Sequence, residues 1–194
     1  EVARGLARRG HQVHVATQRL SPDLAEEETL DGIRVHRYTT DAPQGLRFYR
    51  STLREVSRIV DRLQDAFHFD AVMSHHPVSA YAAAGAASIQ ALPWVSVLHS
   101  LYFLEYLDRH GYDPQTGEPK RIGPVRRITA ALLKRMDTAV LERSDRVAVL
   151  SDFTRSLVEW HCPRFLALLR KTPGGADLDA FRPEPSREEA RAAL

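Results

Sequence analysis

One stretch of the chain, residues 144–183, limits the fold more than any other. Residues 147–150 are apolar and stand between polar neighbours. A short run of this kind, rich in β-branched side chains, is typical of a strand that is covered on both faces. Ser151 or Asp152 then supplies the side-chain oxygen that begins a helix, and three apolar residues follow at helical spacing: Phe153, Leu157 and Trp160. A buried strand that turns directly into a capped helix predicts a ligand cleft at the carboxyl ends of parallel strands.

Predicted strands and helices alternate along the rest of the chain. The strand at 32–38 alternates polar and apolar residues, which places it near an edge of the sheet. Strands that alternate with helices predict a three-layer α/β fold with a mainly parallel sheet. The other strands are predicted at 11–17, 70–74, 94–98 and 170–172, the helices at 1–9, 46–67, 78–90 and 122–143, and the longest polar loops at 18–30 and 108–123.

Helical spacing of apolar residues predicts which faces of the helices are buried. In the first helix, Val2 and Leu6 are expected to face inward. The two longest helices each carry one apolar stripe, which we expect to lie against the sheet. The stripes are Leu46, Tyr49, Leu53, Val56, Val60, Leu63 and Phe67 in one helix, and Ile122, Val125, Ile128, Leu132, Met136 and Val140 in the other.

The composition is that of an ordinary globular protein, with 43% hydrophobic and 27% charged residues in 194. No apolar run is long enough to span a bilayer. The net charge of +2 is too small to indicate a nucleic-acid partner. Cys162 is the only cysteine, so an internal disulfide is excluded and a reducing, cytoplasmic compartment is the simpler expectation.

The two ends of the chain suggest that the sequence is part of a longer protein. Residues 1–9 read as the second half of a helix and begin without a methionine, so we expect a preceding segment. Residues 186–194 begin a further helix with acidic residues in its first turn.

Six segments resemble, in the same order, segments of the N-terminal domain of GT-B glycosyltransferases of family 4, the retaining type. They are EVARGLARRGHQVHVAT at 1–17, GIRVHRY at 32–38, DAVMSHHP at 70–77, LPWVSVLHS at 92–100, ERSDRVAVLSDFTRSL at 142–157 and TPGGADLDAFRP at 172–183. The resemblance implies that residues 1–172 form a Rossmann-like acceptor-side domain. Residues 173–194 are then the hinge and the start of a donor-side domain.

The resemblance also implies that the first strand of the fold, with its Gly-rich loop, precedes Glu1. In a Rossmann-like sheet that strand is central. The strands at 13–17 and 71–74 would then each have an unpaired inner edge and would not pair with each other. Where the family has Asn-Gly-Val-Asp, this chain has Gly174, Gly175, Ala176 and Asp177, which loosens the turn and removes an amide side chain. Gly174, Gly175 and Asp177 are the candidate hinge.

The principal site candidates follow predicted strands. His99 and Ser100 follow the strand at 94–98, and the family's histidine at this point lies near the transferred sugar, so His99 is the candidate catalytic residue. The alternative is a strand-end histidine bonded to a backbone carbonyl. Ser151 begins a helix whose N–H groups can hold a hydroxyl or a phosphate, or it serves only as an N-cap.

Three further residues are candidates for binding substrate. His75 and His76 follow the strand at 70–74 and point to opposite sides, so at most one of them, taken here as His76, enters the cleft. Glu105 and Tyr106 lie after the His99 segment, where they either meet the acceptor or belong to a solvated loop. Neither the spacing of the histidines nor the resemblance indicates a metal site.

Basic residues form two groups. Arg47, Arg50, Arg54 and Arg58 recur every three or four residues on one helix and form a stripe that either contacts anionic lipid head groups or is simply solvated. Arg127 belongs to a second group, with Lys120, Arg121 and Arg126, that can receive an acceptor phosphate.

The function that the resemblance implies is transfer of a sugar, with retention, from a nucleotide-sugar donor to an acceptor hydroxyl on a sugar or lipid-linked molecule. No metal or other cofactor is expected, because basic side chains and helix N-termini can stabilise a leaving diphosphate. Those groups would lie after Leu194, so the chain alone is expected to be inactive. The alternatives are a non-catalytic α/β binding module and a sugar-nucleotide epimerase of the same fold, for which Glu105 is the only candidate carboxylate.

Overall fold

The chain is seen in a computed structural model, which describes residues 2–43, 45–111 and 121–175, together with Glu188 and Arg191. The α-helices are α1 (Val2–Arg8), α2 (Gly45–Phe67), α3 (Pro77–Ala84), α4 (Tyr102–Gly111), α5 (Pro124–Arg143) and α6 (Asp152–His161). The strands are β1 (His14–Gln18), β2 (Glu27–Leu30), β3 (Ile33–Tyr38), β4 (Val72–Ser74), β5 (Trp94–Leu98), β6 (Arg146–Val149) and β7 (Leu169–Lys171). Short 3-10 helices lie at Ala87–Ile89 and Pro163–Leu168.

The described strands form two sheets. One has the order β1-β3-β2, in which β1 and β3 are parallel and β2 is antiparallel to β3. The other has the order β4-β5-β6-β7, and every neighbouring pair in it is parallel. Helices connect these parallel strands, as the right-handed crossovers of such sheets require. The predicted α/β class with a mainly parallel sheet is confirmed.

Within the described residues, β1 pairs with β3 alone and β4 with β5 alone. The prediction that these two strands do not pair with each other is therefore confirmed. Helix α2 joins the two sheets, because it contacts β1 and β3 and also packs along α3. The sheets are thus linked by side-chain packing rather than by strand hydrogen bonds.

The hairpin of β2 and β3 corrects two predictions. Residues 27–30 were expected in a loop but form an antiparallel strand, and β3 is the central strand of its sheet rather than an edge strand. Asp31 and Gly32 form the two-residue turn, with φ of 51° and 78°. Positive φ at both positions is the type I′ geometry that an Asp-Gly pair favours, so this dipeptide was the missed signal.

Trp94 lies at the centre of the four-stranded sheet and is fully buried. Its indole Nε1 donates to Ser74 Oγ of β4 and to Ser96 Oγ of β5, each at 3.1 Å. Ser96 Oγ in turn lies 2.7 Å from Ser144 Oγ, which follows α5. Because each buried hydroxyl has a partner, the network links two strands and a helix without an unpaired polar atom among these side chains.

The apolar stripes predicted for the helices are partly wrong. The buried residues of α2 include Val56, Ile59 and Leu63, whereas Leu46 is 74% exposed. The outward residues are Val2 in α1, Leu46, Leu53 and Phe67 in α2, Val125, Ile128 and Leu132 in α5, and Phe153 and Trp160 in α6. Helical spacing shows that a stripe exists but does not show which of two stripes meets the sheet.

Helix α4 occupies part of the predicted loop. It includes residues 108–111, and its first turn contains Glu105, so Glu105 and Tyr106 lie on a helix and not on a solvated loop. Residues 112–120, at the centre of the predicted loop, lie outside the described residues, as does most of the helix predicted at 186–194. No helix in the described part of the chain is long and apolar enough to cross a bilayer.

Candidate functional site

The carboxyl ends of β4, β5 and β6 bring the predicted site residues together. These strands are parallel neighbours, with Ser74 opposite Ser96 and Leu98 opposite Val149. The side chains that directly follow the three strands therefore lie along one edge of the sheet: His75 and His76, His99 and Ser100, and Ser151.

Ser151 and His99 are connected through Thr154. Ser151 Oγ accepts the backbone N–H of Thr154 at 3.0 Å, which confirms Ser151 as the N-cap of α6. The buried Thr154 hydroxyl donates to the carbonyl oxygen of His99 at 3.2 Å. The start of α6 is thereby fixed against the segment that carries the candidate catalytic histidine.

The His99 ring is exposed and lies beside the ring of His75, with centroids 6.0 Å apart. Desolvation lowers the pKa of His75, and the neighbouring His99 lowers it further. His76 is solvent-exposed, but the protein atoms around its ring desolvate it enough to lower its pKa. Glu105 opposes this effect by raising the pKa. The lowered pKa of both rings favours the neutral imidazole, which offers one donor and one acceptor.

Helix α4 begins immediately after His99 and Ser100 and is fixed at two points. Ser100 Oγ donates to Glu105 in its first turn. From the opposite side, Asp137 of α5 accepts the backbone N–H of Phe103 at 3.0 Å. Asp137 is buried, and this desolvation raises its pKa to about 6 in spite of hydrogen bonds from two backbone N–H groups. The carboxyl of a neighbouring helix thus caps α4.

Aromatic side chains form one wall of this region. Tyr102 OH lies 3.2 Å from Tyr49 OH of α2, and the Tyr102 ring lies 6.0 Å from that of His76. Burial, and then the hydrogen bond with Tyr102, raise the pKa of Tyr49. Tyr106 packs edge to face on His110 and is half-buried. Tyr106 therefore supports this wall rather than standing free in solvent.

Sequence reasoning missed four residues of the site: Tyr49, Tyr102, Asp137 and Thr154 as the link to His99. Tyr49 and Asp137 come from helices far away in the sequence, so no local pattern points to them. Tyr102 follows a predicted strand end by four residues, a signal that could have been used.

Other predicted residues lie elsewhere or are not described. Arg127 is exposed in the second turn of α5, with no hydrogen bond to the residues at the strand ends within the described part of the chain. Gly174 and Gly175 follow β7; a Cβ at either would meet nothing, so no contact there requires glycine. Asp177 and Lys120 lie outside the described residues. No group of three or more His, Cys, Asp or Glu side chains suitable for a metal ion is found among the residues that are described.

Most donor and acceptor groups at this edge are not permanently charged. They comprise imidazoles, the hydroxyls of Ser100 and Ser151, and the phenol of Tyr102, with Glu105 as a carboxylate. Such a set suits a polyhydroxylated ligand, since neutral donors and acceptors exchange hydrogen bonds with hydroxyls and tyrosine rings pack on apolar C–H faces.

Comparison with known proteins agrees with this geometry. The family model described as Glycosyltransferase Family 4 matches residues 1–179. The chain is 27% identical to a D-inositol 3-phosphate glycosyltransferase of Kineococcus radiotolerans, over the whole of this chain and 43% of that protein. Its fold is similar to sucrose-phosphate synthase from Thermosynechococcus elongatus, with a TM-score of 0.66 and 18% identity over the whole of this chain and 45% of that one.

A second solved chain of that synthase has a TM-score of 0.61 and 15% identity, covering 92% of this chain and 84% of that one. At such identities, the solved structures show the fold alone: a Rossmann-like α/β domain of the GT-B type. The chain spans less than half the length of the curated relative it matches. Because the family model covers nearly all of the sequence, the chain belongs to Glycosyltransferase Family 4.

Proposed function

We propose that this chain is the acceptor-side part of a glycosyltransferase that moves a sugar from a nucleotide-sugar donor to an acceptor hydroxyl with retention. Family membership supports the reaction class. The observation that carries the proposal is the bond from Thr154 to the His99 carbonyl, which holds the ends of β5 and β6 together at one edge. Ligands of open parallel sheets bind at such an edge.

His99 is the proposed catalytic residue. Its exposed ring can donate a hydrogen bond to a hydroxyl of the transferred sugar and, through its dipole, stabilise charge that develops in the transition state. The hydroxyl of Ser100 donates its hydrogen bond to Glu105. The lone pairs of this hydroxyl therefore remain free to accept a hydrogen bond from a substrate hydroxyl. Ser151 and His76 complete the proposed binding edge.

Glu105, Tyr106 and Arg127 are the further residues proposed to bind substrate. Glu105 is exposed and faces the same edge through Ser100, which favours contact with the acceptor. Tyr106 is proposed to act by supporting the wall of aromatic side chains. Arg127 lies on the exposed start of α5 and would reach an acceptor only if that molecule extends beyond the strand ends.

The donor nucleotide is proposed to bind a second domain, joined near residue 173 through Gly174, Gly175 and Asp177. Basic side chains and helix N-termini of that domain would stabilise the leaving diphosphate without a metal ion. The isolated chain is therefore expected not to transfer sugar, and transfer by the isolated chain would overturn this part.

A contact between α2 and anionic lipids is a further proposal, with the enzyme at the cytoplasmic surface of the membrane. The structure reduces the number of arginines in the stripe that are free to contact lipids. Arg54 and Arg58 both bond Glu55, and Arg54 also reaches Asp41, so their charges are partly neutralised. Arg47 and Arg50 are exposed and form no ion pair in the described part of the chain. These two arginines would carry the contact.

The decisive experiment measures sugar transfer by the natural protein that contains this chain, with a panel of nucleotide-sugar donors and product anomers assigned by NMR. We expect His99→Ala to lower kcat on the order of a hundredfold, the effect of losing one group that stabilises transition-state charge. His11→Ala, at an exposed histidine outside the site, is the matched control. An unchanged rate for His99→Ala would remove the catalytic role, and absence of transfer with every donor would favour a binding module.

A further inference from the structure

Helix α4 begins without an N-cap side chain of its own. The residue before it is Leu101, which is fully buried and whose aliphatic side chain cannot accept a hydrogen bond. The carbonyl of Leu101 accepts the N–H groups of Leu104 at 2.9 Å and of Glu105 at 3.2 Å. The N–H groups of Tyr102 and Phe103 have no carbonyl partner within the helix. The start of α4 therefore needs an acceptor from another part of the fold.

Asp137 of α5 supplies that acceptor. Its side chain is 3% exposed, its carboxylate accepts the Phe103 N–H at 3.0 Å, and the N–H of Tyr102 also bonds to it. No ion pair to Asp137 is found in the described part of the chain. A carboxylate buried without a cation destabilises a protein, and an apolar residue would pack there with less loss of stability. Packing alone therefore does not account for Asp137, whereas the two N–H groups at the positive end of α4 do.

The first turn of α4 carries groups of the candidate site. Tyr102 OH lies 3.2 Å from Tyr49 OH, and the Tyr102 ring lies 6.0 Å from the ring of His76. Glu105 accepts a hydrogen bond from the hydroxyl of Ser100, which precedes the helix. A shift or fraying of this turn would therefore move a ring, a carboxylate and a hydroxyl of the edge together.

Two buried side chains hold the segment between β5 and α4 from different sides. Thr154 bonds the carbonyl of His99 at 3.2 Å, and Asp137 bonds the start of α4. Thr154 therefore fixes the residue proposed to stabilise the transition state, whereas Asp137 fixes the turn that carries Tyr102 and Glu105. A misplaced catalytic group slows the chemical step, and misplaced binding groups weaken the binding of the molecule they contact. The two buried residues should thus affect different kinetic constants.

We propose that Asp137 is a positioning residue for the acceptor: its carboxylate holds the first turn of α4, and through that turn it places Tyr102, Glu105 and Ser100 against an acceptor sugar. Because only the proposed function assigns the acceptor to this edge, the role of Asp137 rests on that function. Asp137 is buried behind the turn and has no surface with which to contact substrate. Its removal should therefore raise the acceptor KM and leave the use of the donor unchanged.

The kinetic test uses the natural protein that contains this chain, the panel of nucleotide-sugar donors, and glucose, myo-inositol and their monophosphates as acceptors. Asp137→Leu keeps a branched side chain and removes both acceptor oxygens. We expect the acceptor KM to rise about tenfold, because hydrogen bonds to a charged group are lost. The donor KM and the hydrolysis of donor without acceptor should change by less than about twofold. Asp137→Asn keeps one acceptor oxygen, so its acceptor KM should rise only about threefold.

A second measurement on the same protein needs no substrate. Hydrogen exchange followed by mass spectrometry should show the amides of residues 102 and 103 exchanging about tenfold faster in Asp137→Leu, because they lose their acceptor. The amides at the start of α6 should keep their exchange rates, since Ser151 still caps that helix.

The matched control is Ser144→Ala. Ser144 is buried directly after α5, and its hydroxyl lies 2.7 Å from both Ser96 Oγ and the carbonyl oxygen of Val140. Its loss should lower stability, because buried hydrogen bonds are removed. It should change neither the acceptor KM nor exchange at the start of α4, since Ser144 does not contact that helix end.

Several outcomes would overturn the role of Asp137 while sugar transfer by the unsubstituted protein still stands. They are unchanged exchange at residues 102 and 103, faster exchange with an unchanged acceptor KM, a fall in kcat alone, and an equal rise of the acceptor KM in Ser144→Ala. Absence of transfer by the unsubstituted protein with every donor and acceptor would overturn the proposed function and the role of Asp137 with it. If Asp137→Leu does not fold, Asp137→Asn provides both measurements.

Discussion

The hydroxyl of Thr154 donates a hydrogen bond to the backbone carbonyl of His99 across 3.2 Å. The same side chain lies 3.1 Å from Ser151 Oγ, so one buried hydroxyl joins the N-cap of α6 to the end of β5. Both predicted sides of the cleft are thus held by a residue that need not touch a ligand.

Replacing Thr154 with Val keeps the shape of this side chain and removes its hydroxyl. The His99 carbonyl then loses its donor, and we expect the free energy of unfolding to fall by about 2 kcal/mol. Urea denaturation measures this change. Thr154→Ser, which retains the hydroxyl, is the control, and a loss as large in that variant would show that the methyl group matters more than the bond.

We expect Asp137 to make the stability of the protein depend on pH. Burial raises the pKa of Asp137 to about 6 from the ordinary value of 3.8, so between these values the folded state retains a proton that the unfolded state has already lost. The contribution of Asp137 to the free energy of unfolding is therefore fully favourable below pH 4 and is lost as the pH rises to about 6, a change of about 3 kcal/mol.

Asp137→Asn removes the titration and keeps an acceptor for the Phe103 N–H. In urea denaturation between pH 4 and 7, the stability of the variant relative to the unsubstituted chain should therefore rise with pH. A constant difference would contradict the buried, protonating carboxyl. Asp137→Ala, which removes the cap of α4 as well, should be less stable than Asp137→Asn throughout.

We expect His14 to make stability depend on pH in the direction opposite to that of Asp137. Its Nδ1 lies 3.1 Å from His36 Nε2, and His36 Nδ1 lies 3.3 Å from Glu27; Arg34 also faces the pair. Desolvation, then His36 and Arg34, lower the pKa of His14. Below about pH 6.5 the unfolded chain therefore binds a proton that the folded chain resists, and stability falls.

His14→Phe should reduce this loss of stability on acidification from pH 7.5 to 5.5, measured by thermal unfolding. The ring still packs between Phe67 and Phe69, whose centroids lie 4.2 and 5.1 Å from that of His14. His11→Phe, at an exposed position, should leave the pH dependence unchanged. If both variants behave alike, His14 does not determine the effect.

We expect the guanidinium group of Arg143 to stabilise the fold. It donates to the carbonyls of Ile89, Gln90 and Leu92, and it lies 5.0 Å from the centre of the Trp94 ring. All three bonds come from Nη2, and a lysine ammonium cannot lie as a plane over the Trp94 ring, so Arg143→Lys should cost about 2 kcal/mol of unfolding free energy.

The matched control is Arg164→Lys, because Arg164 is exposed and pairs with Glu142 at the surface. Exposed ion pairs contribute little, so this variant should lose less than about 1 kcal/mol. Thermal denaturation of the two variants side by side makes the comparison. A similar melting temperature for both would show that the three carbonyl bonds are replaceable.

Local signals made parts of the fold predictable from sequence. The Ser151 cap and the bounds of β5 depend on residues within a few positions of one another, so the sequence patterns were sufficient. Residues at strand ends, such as His99 and Ser100, could be placed at the carboxyl edge of the sheet because parallel strands share that edge.

The remaining features depend on contacts between distant residues. Helix α5 has two apolar stripes, and the one that is buried contains Ala130 and Asp137, which hydropathy ranks below Ile128 and Leu132. Asp137 is accommodated inside only because the N–H groups at the start of α4 point toward it. Tyr49 likewise meets Tyr102 only once α2 and α4 are packed, which no spacing within either helix reveals.

The two sheets, which share no strand hydrogen bonds within the described residues, have a consequence for cooperativity. Helix α2 contacts β1 and β3 on one side and α3 on the other, so it transmits the folding of each sheet to its neighbour. A cavity made at Val56 or Leu63, whose side chains are buried in α2, should therefore separate one melting transition into two. The domain would then behave as two folding units that are coupled through the packing of this helix.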